Sequence, residues 1–302
     1  MSNETVQVLM STYNGEKYLD EQIRSLVAQI GVNVKILVRD DGSKDNTITI
    51  LKNWEKEGVL NWYSGANLKP ALSFMDLVKN APKADYYAFC DQDDFWHKEK
   101  LAIAVKKLGE FSDNEPALYF SNKQLVDSNL IPIRTKGQKP KISLGSSLII
   151  NPVTGCTMTI NHFLLEMVKK YDNKNLYMHD AWIYRVCMAL DGKVVFDEKP
   201  HIDYRQHENN VIGGTTNTFK KYKRRIKNVI VERNRIREKD AKELIKGYSN
   251  FIPNKNLETI IKVANYRESF KNKLELVFDK NIRTNNFEHN ISFLFAVFFN
   301  AF

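Results

Sequence analysis

Short apolar runs alternate with segments of helical spacing along the first hundred residues. Val6 to Ser11 is an apolar run closed by the turn formers Asn14 and Gly15, which predicts a strand and a loop. Leu19, Ile23, Leu26, Val27 and Ile30 follow at helical spacing. Val34 to Val38 reads as a second buried strand, closed by Arg39-Asp40-Asp41-Gly42-Ser43. Asp45 then stands just before Thr47, Ile48, Ile50, Leu51 and Trp54, a helix with Asp45 near its cap. Val59 to Tyr63 predicts a third strand, and Pro70 opens a helix through Leu72, Met75 and Val78. Tyr86 to Cys90 is the fourth strand. Strands alternating with helices need crossover connections, so the pattern predicts an α/β fold with a mostly parallel central sheet.

In such sheets ligands gather beyond the carboxyl ends of the strands. Three of those ends carry polar clusters: Thr12-Tyr13-Asn14, Asp40-Asp41 and Asp91-Gln92-Asp93-Asp94. The last is an acidic step, with three carboxylates over four positions. That crowding is costly unless a cation neutralises it, and Asp91 and Asp93, two apart on an extended chain, point to one side. They predict two hard oxygen ligands for one divalent ion.

From Pro116 the pattern changes. Ala117 to Phe120, Leu130 to Ile133, Ser147 to Ile150 and Cys156 to Ile160 read as short strands. A helix beginning near His179-Asp180 carries Ile183, Val186, Cys187 and Leu190 on one face, and Val194 to Phe196 and Ile202 to Tyr204 read as the last strands. Past Gly213-Gly214 the chain turns helical and basic. The expected organisation is a catalytic domain over 1–213 and a helical, basic region over 214–302.

Composition narrows the function classes. The chain has 302 residues, 43% hydrophobic and 27% charged, the balance of a globular protein with a sizeable core. No apolar signal segment follows Met1, and no apolar stretch reaches the roughly 20 residues that a membrane-spanning helix needs. Cys90, Cys156 and Cys187 are odd in number and far apart, which predicts buried thiols in a reducing cytosol. The net charge of +9 comes from the segment beyond residue 213 and suggests an anionic partner. Neither a P-loop nor a G-x-G-x-x-G turn is present, and no base-reading motif supports nucleic acid.

Five stretches in order carry a resemblance: Ser11 to Gly15, Asp40 to Ser43, Asp91 to Trp96, His179-Asp180, and Tyr204-Arg205-Gln206-His207. Residues 1 to about 213 resemble the family-2 inverting glycosyltransferases, particularly bacterial enzymes that add rhamnose to cell-wall polysaccharides. The resemblance implies a GT-A type nucleotide-diphospho-sugar transferase fold and a magnesium or manganese ion on the donor diphosphate. It assigns Thr12, Tyr13, Asn14, Asp40, Asp41, Asn67, Lys69, Asp91 and Arg205 to the nucleotide. Asp93 is the expected direct metal ligand, with Asp91 and His207 as co-ligands; His207 has the alternative of contacting the diphosphate or serving the structure. Asp94, Trp96 and His179 fall on the acceptor side. Asp180 is the expected general base, with helix capping as its alternative role. Lys69 stands where related enzymes often carry glycine, Leu72 where they carry a basic residue, and Glu208 where glycine is common.

The implied donor is dTDP-rhamnose, with a UDP-hexose as the alternative, and the implied acceptor is a lipid-linked saccharide at the cytoplasmic face of the membrane. A rival reading takes Asp91-x-Asp93 as the nucleophile and acid of a haloacid-dehalogenase-type phosphatase, but Phe95 stands where that class carries Thr or Val. The basic segment 219–246 and the aromatic end 287–302 suggest a membrane surface, or packing and a homodimer contact instead.

Overall fold

The computed structural model describes residues 4–134, 137, 139–206 and 235–302. Eight strands form one sheet: β1 (Thr5–Thr12), β2 (Asn33–Asp40), β3 (Asn61–Ser64), β4 (Tyr86–Cys90), β5 (Phe95–Trp96), β6 (Ala117–Val126), β7 (Met158–Asn161) and β8 (Lys193–Arg205). Their order is β3-β2-β1-β4-β7-β6-β8-β5. The β3, β2, β1 and β4 strands are parallel neighbours, β7 runs antiparallel to both β4 and β6, and β6 and β8 are parallel. The sheet is thus mostly parallel, as the alternation of strands and helices predicts. Val6, Val8, Leu9 and Met10 of β1 and all five residues of β4 are buried, as central parallel strands covered on both faces require.

Helices α1 (Leu19–Val27), α2 (Thr47–Lys56), α3 (Lys69–Asn80), α4 (Lys100–Leu108) and α6 (His162–Lys169) flank this sheet, with the short α5 (Leu144–Ser147) lying between β6 and β7 in the chain. Leu19, Ile23 and Leu26 of α1 and Leu101, Ala104, Val105 and Leu108 of α4 close one core with Val6, Val8, Val38 and Ala88. The parallel register brings Thr12 level with Asp40 at the ends of β1 and β2, and Met10 level with Cys90 just before the acidic step. One-residue steps along that register decide which side chains meet at the sheet's carboxyl edge.

Local pattern misled in four places. Residues 147–150 form no strand; Ser143 caps α5 by accepting from the Ser146 N–H, and its chain neighbours follow into helix. Residues 130–133 make only a single bridge, from Pro132 to Val126, because proline brings no N–H to a ladder. Cys156 lies in a 3₁₀ turn, Gly155–Thr157, and β7 starts after it. The two runs 194–196 and 202–204 are one thirteen-residue strand, β8, whose register against β6 shifts at Ser121 and Asn122.

The described residues divide into two compact units, one of 4–134, 137, 153–183 and 192–206, the other of 139–152, 184–191 and 235–302. The chain passes from one to the other within α7 (His179–Ala189). The second unit holds α8 (Ile236–Tyr248), α9 (Asn254–Asn265), α10 (Phe270–Phe278) and α11 (Phe287–Phe298). Its centre is a buried ion pair, Arg185–Asp240, with Arg185 Nε also donating to the Ser147 carbonyl at 3.0 Å. The basic run from Lys220 to Arg233 lies outside the described residues.

Candidate active site

The loop after β1 is fastened to the acidic step by a residue that the sequence pattern does not mark. Gln92 Oε1 accepts from Thr12 Oγ1 at 2.6 Å and from the Tyr13 N–H at 2.8 Å, while Gln92 Nε2 donates to the Tyr13 carbonyl at 3.1 Å. Gly15 leaves room for this clamp, since a Cβ there would lie 2.4 Å from Gln92 Oε1. Asn14 takes a positive φ of 49° and joins the same loop to the turn after β2: its N–H donates to Ser43 Oγ and its Oδ1 accepts from the Lys44 N–H, both at 2.9 Å. Thr12 is buried, whereas the Tyr13 ring is 45% exposed.

Asp40 and Asp41 have other work than the resemblance implies for a base-reading carboxylate. Asp40 is wholly buried and accepts from the Gly42 and Ser43 N–H groups, the Ser43 hydroxyl and the Ser64 hydroxyl. Asp41 is paired with Arg39 and accepts from the Leu68 and Lys69 N–H groups, both at 3.0 Å. A carboxylate receiving N–H groups at the start of α3 is favoured by the helix dipole and the unsatisfied first-turn donors. Asn67 Oδ1 accepts from the same Lys69 N–H at 3.1 Å, and the side chains of Asn67 and Lys69 are exposed.

At the acidic step Asp91 and Asp93 are half-buried and Asp94 is buried. Asp91, Asp94 and Cys156 bring ligand atoms within 4.8 Å of one another. Asp94 Oδ1 accepts from the Arg205 N–H at 3.2 Å, and its Oδ2 is buried with no hydrogen-bond partner among the described residues. Burial pushes the Asp91 carboxyl up to about 7, and the charges of Asp93 and Asp180 push the same way. Burial, then Asp93 and Asp91, hold the Asp94 carboxyl well above its usual range, and burial, then Asp94 and Asp91, do the same to the Cys156 thiol. Two adjacent carboxylates, one with a buried oxygen that has no hydrogen-bond partner among the described residues, are oxygen donors that suit a hard divalent cation, and metal binding would release the protons they hold. The protonated Cys156 thiol packs beside them as a neighbour and not as a hard-cation ligand. The grouping is of Asp91 and Asp94 with Cys156 rather than of Asp91 with Asp93, and His207 lies outside the described residues.

Arg205 is committed to building this step. Its guanidinium donates to the Asp93 carbonyl at 2.8 Å and the Ser128 carbonyl at 2.5 Å, pairs with Glu21, and lies 4.3 Å from the Tyr18 ring centre. Five donors in a rigid fork suit such a junction, and the side chain is 2% exposed, so it braces the acidic loop from behind. Lys123 is nearer the carboxylates. Its Nζ donates to Thr154 Oγ1 at 3.0 Å, covers the Tyr204 ring at 4.0 Å, and its charge favours ionisation of Asp91.

Asp180 sits in the first turn of α7 and close enough to Asp91 to raise it. Its Oδ2 accepts from the Gly155 N–H at 3.1 Å and its Oδ1 from the Ala181 N–H at 2.6 Å. The neighbouring His179 is a core residue, stacked on Phe74 at 4.0 Å between ring centres and tilted against Phe89 at 5.5 Å. Burial lowers its pKa to about 3, so the ring is neutral. A Cβ on Gly155 would meet His179 Nε2 at 2.6 Å, so the absence of a side chain there lets ring and turn close up. Trp96 is also core, with the Lys100 ammonium 3.4 Å from its ring centre. The three residues expected on the acceptor side are therefore all buried: Asp94 at the cluster, Trp96 and His179 within the packing.

The mostly parallel sheet with carboxylates at its carboxyl edge fits the GT-A type fold that the resemblance implies. Residues 7–186 match the family model described as "Glycosyl transferase family 2", and the chain belongs to that family. It is 31% identical over 237 residues to "dTDP-rhamnosyl transferase RfbG" of Shigella flexneri, an alignment covering 71% of this chain and 77% of that protein. Among solved structures it resembles S. aureus TarS 1-349 in complex with UDP-GlcNAc, with a TM-score of 0.59 at 15% identity over 98% of this chain and 89% of that one. It also resembles the mannosyltransferase PcManGT from Pyrobaculum calidifontis in complex with GDP-Man and Mn2+, with a TM-score of 0.54 at 13% identity over 100% of this chain and 86% of that one. At those identities the likeness is one of fold. The protein is a glycosyltransferase.

Proposed function

We propose that this enzyme transfers L-rhamnose from dTDP-rhamnose, with inversion, to a lipid-linked saccharide on the cytoplasmic side in cell-wall polysaccharide synthesis. The observation that carries the transfer chemistry is the convergence of Asp91, Asp93, Asp94 and Asp180 at one edge of the sheet. The choice of rhamnose is supported by the RfbG relative. Asp180 takes the proton of the acceptor hydroxyl as that oxygen attacks the anomeric carbon. The bond from that carbon to the diphosphate oxygen breaks, and its electron pair leaves with the diphosphate. The Gly155 and Ala181 N–H groups donate to the Asp180 carboxylate and hold it in place.

The exposed Tyr13 ring offers a face on which the base stacks, and Asp40 and Asp41 act behind it by holding their turn closed. The exposed Lys69 amine is the candidate contact for a donor phosphate. Asp91 and Asp94, whose carboxylates lie together, would hold Mn2+ or Mg2+, with Asp93 the further ligand that the resemblance implies; the ion's charge would offset that developing on the diphosphate. Arg205 and Gln92 keep that step and the loop of Tyr13 in register.

The test is a thermal-shift screen of dTDP-rhamnose against UDP and GDP sugars, with and without manganese. Ligand at a hundred times its Kd stabilises by about 2.7 kcal/mol, so the preferred donor gives the largest rise in Tm. A larger shift with a UDP-hexose would replace the rhamnose reading. No shift with any nucleotide sugar would overturn the transferase reading of the site.

A further inference from the structure

The last helix has apolar residues on two opposite faces. Phe293, Ala296 and Val297 of α11 are buried in the second unit. Phe302 folds back with them: its ring centre lies 4.8 Å from Phe293 and 6.0 Å from Tyr266, and its N–H donates to the Tyr266 hydroxyl at 3.2 Å. The other face is bare. Phe287 is 78% exposed, Phe295 55% and Phe298 44%, and Phe299 just past the helix is 50% exposed. Phe287, Ile291, Leu294, Phe295 and Phe298 recur at the spacing of one stripe, and that stripe carries no charge. Single exposed hydrophobic residues are ordinary, but a continuous aromatic face marks an interaction surface.

Charge decides what covers it. Residues 214–302 hold nineteen Lys and Arg against nine Asp and Glu, a formal net charge of +10, while residues 1–213 hold twenty-six against twenty-seven. Twelve of those Lys and Arg and eight of the Asp and Glu belong to the described residues 235–302, a net +4, so two copies meeting through this region would bring like charge together. An anionic lipid surface supplies the opposite charge and accepts phenylalanine at the same time. Twelve residues of helix are about 18 Å long, too short to cross a hydrocarbon core of about 30 Å but suited to lying in its boundary.

We infer that the Phe287–Phe295–Phe298 face of α11 seats in the headgroup–acyl boundary of an anionic bilayer. The inference rests on that face and on the charge, and is independent of which sugar is transferred.

The experiment is co-sedimentation of the full chain with vesicles of phosphatidylcholine alone or mixed with phosphatidylglycerol, with the oligomeric state followed by light scattering. The intact chain binds the anionic vesicles and is released by salt. The double variant Phe295→Ser/Phe298→Ser changes only exposed positions; it keeps its Tm and its donor binding while its vesicle affinity falls at least about tenfold, the order expected when two aromatic anchors leave an interface. Undiminished vesicle binding by that variant would overturn the inference. So would a loss of dimer in the variant with no change on vesicles, which would give the face to a second copy. Either result leaves the donor screen untouched.

Discussion

At the scale of single residues, the acidic sites differ by what has already been donated to them. Asp40 is satisfied by its own turn and Asp41 by Arg39 and the start of α3, whereas Asp94 keeps a buried oxygen with no hydrogen-bond partner among the described residues and Asp180 lies near the cluster with two N–H groups steadying it. Asp180→Asn preserves shape and removes basicity. It should leave donor affinity unchanged and lower kcat by on the order of 10²–10⁴, the usual share of a general base; transfer at the parent rate would remove Asp180 from that role. His179 makes a separate prediction about pH. Its folded pKa of about 3 lies below the ordinary 6.5, so the unfolded chain takes up a proton that the folded chain refuses. Its contribution to stability is complete above about pH 6.5 and is lost as the pH falls toward 3, at up to about 1.4 kcal/mol per unit. Urea unfolding of the parent and of His179→Phe between pH 7 and pH 4.5 should show the parent losing more; parallel curves would contradict a neutral, buried ring.

At the scale of elements, two connections frame the proposed nucleotide side, the loop after β1 and the step after β4. Gln92 ties them through three hydrogen bonds, and Gly15 is the gap into which it fits. Gly15→Ala should cost about 1–3 kcal/mol through overpacking and weaken donor binding together with it. The same change in a Gln92→Ala background should cost less, because the closest clash, with Gln92 Oε1, is then gone and only the 2.9 Å approach to Thr12 Oγ1 remains. Additive penalties in that cycle would show that the two residues do not meet. Arg205 performs the equivalent service from β8, reaching the backbone at Asp93 and Ser128.

At the scale of the whole molecule, the first 213 residues are nearly neutral and the last 89 are basic, and the bare aromatic stripe belongs to the basic part of the sequence. Rising ionic strength should therefore weaken binding to anionic vesicles steeply, since exposed charges are screened within about 10 Å at 0.1 M salt. A salt titration of vesicle binding checks this, and a salt-independent affinity would mean that the basic charge plays no part.

Periodicity was enough to lay out β1 to β4, because each is a local run whose burial shows in its own residues, and the ends of those strands marked the site's edge. The resemblance of five motifs supplied the family. Pairings between distant segments were not legible in this way. That Cys156 meets Asp91 and Asp94 depends on a turn before β7 folding against the end of β4, sixty-five residues upstream in the chain. Arg205 looked available for phosphate because a guanidinium suits it, and only the folded chain shows its donors already spent. The aromatic end was equally ambiguous: one helix carries Phe293 inward and Phe295 outward, and a run of phenylalanines has no local signal for which side will be covered. Local sequence sets the period and chemistry of each element. Tertiary packing decides which polar atoms remain unpaired and which apolar faces remain bare, because both depend on neighbours brought from far along the chain.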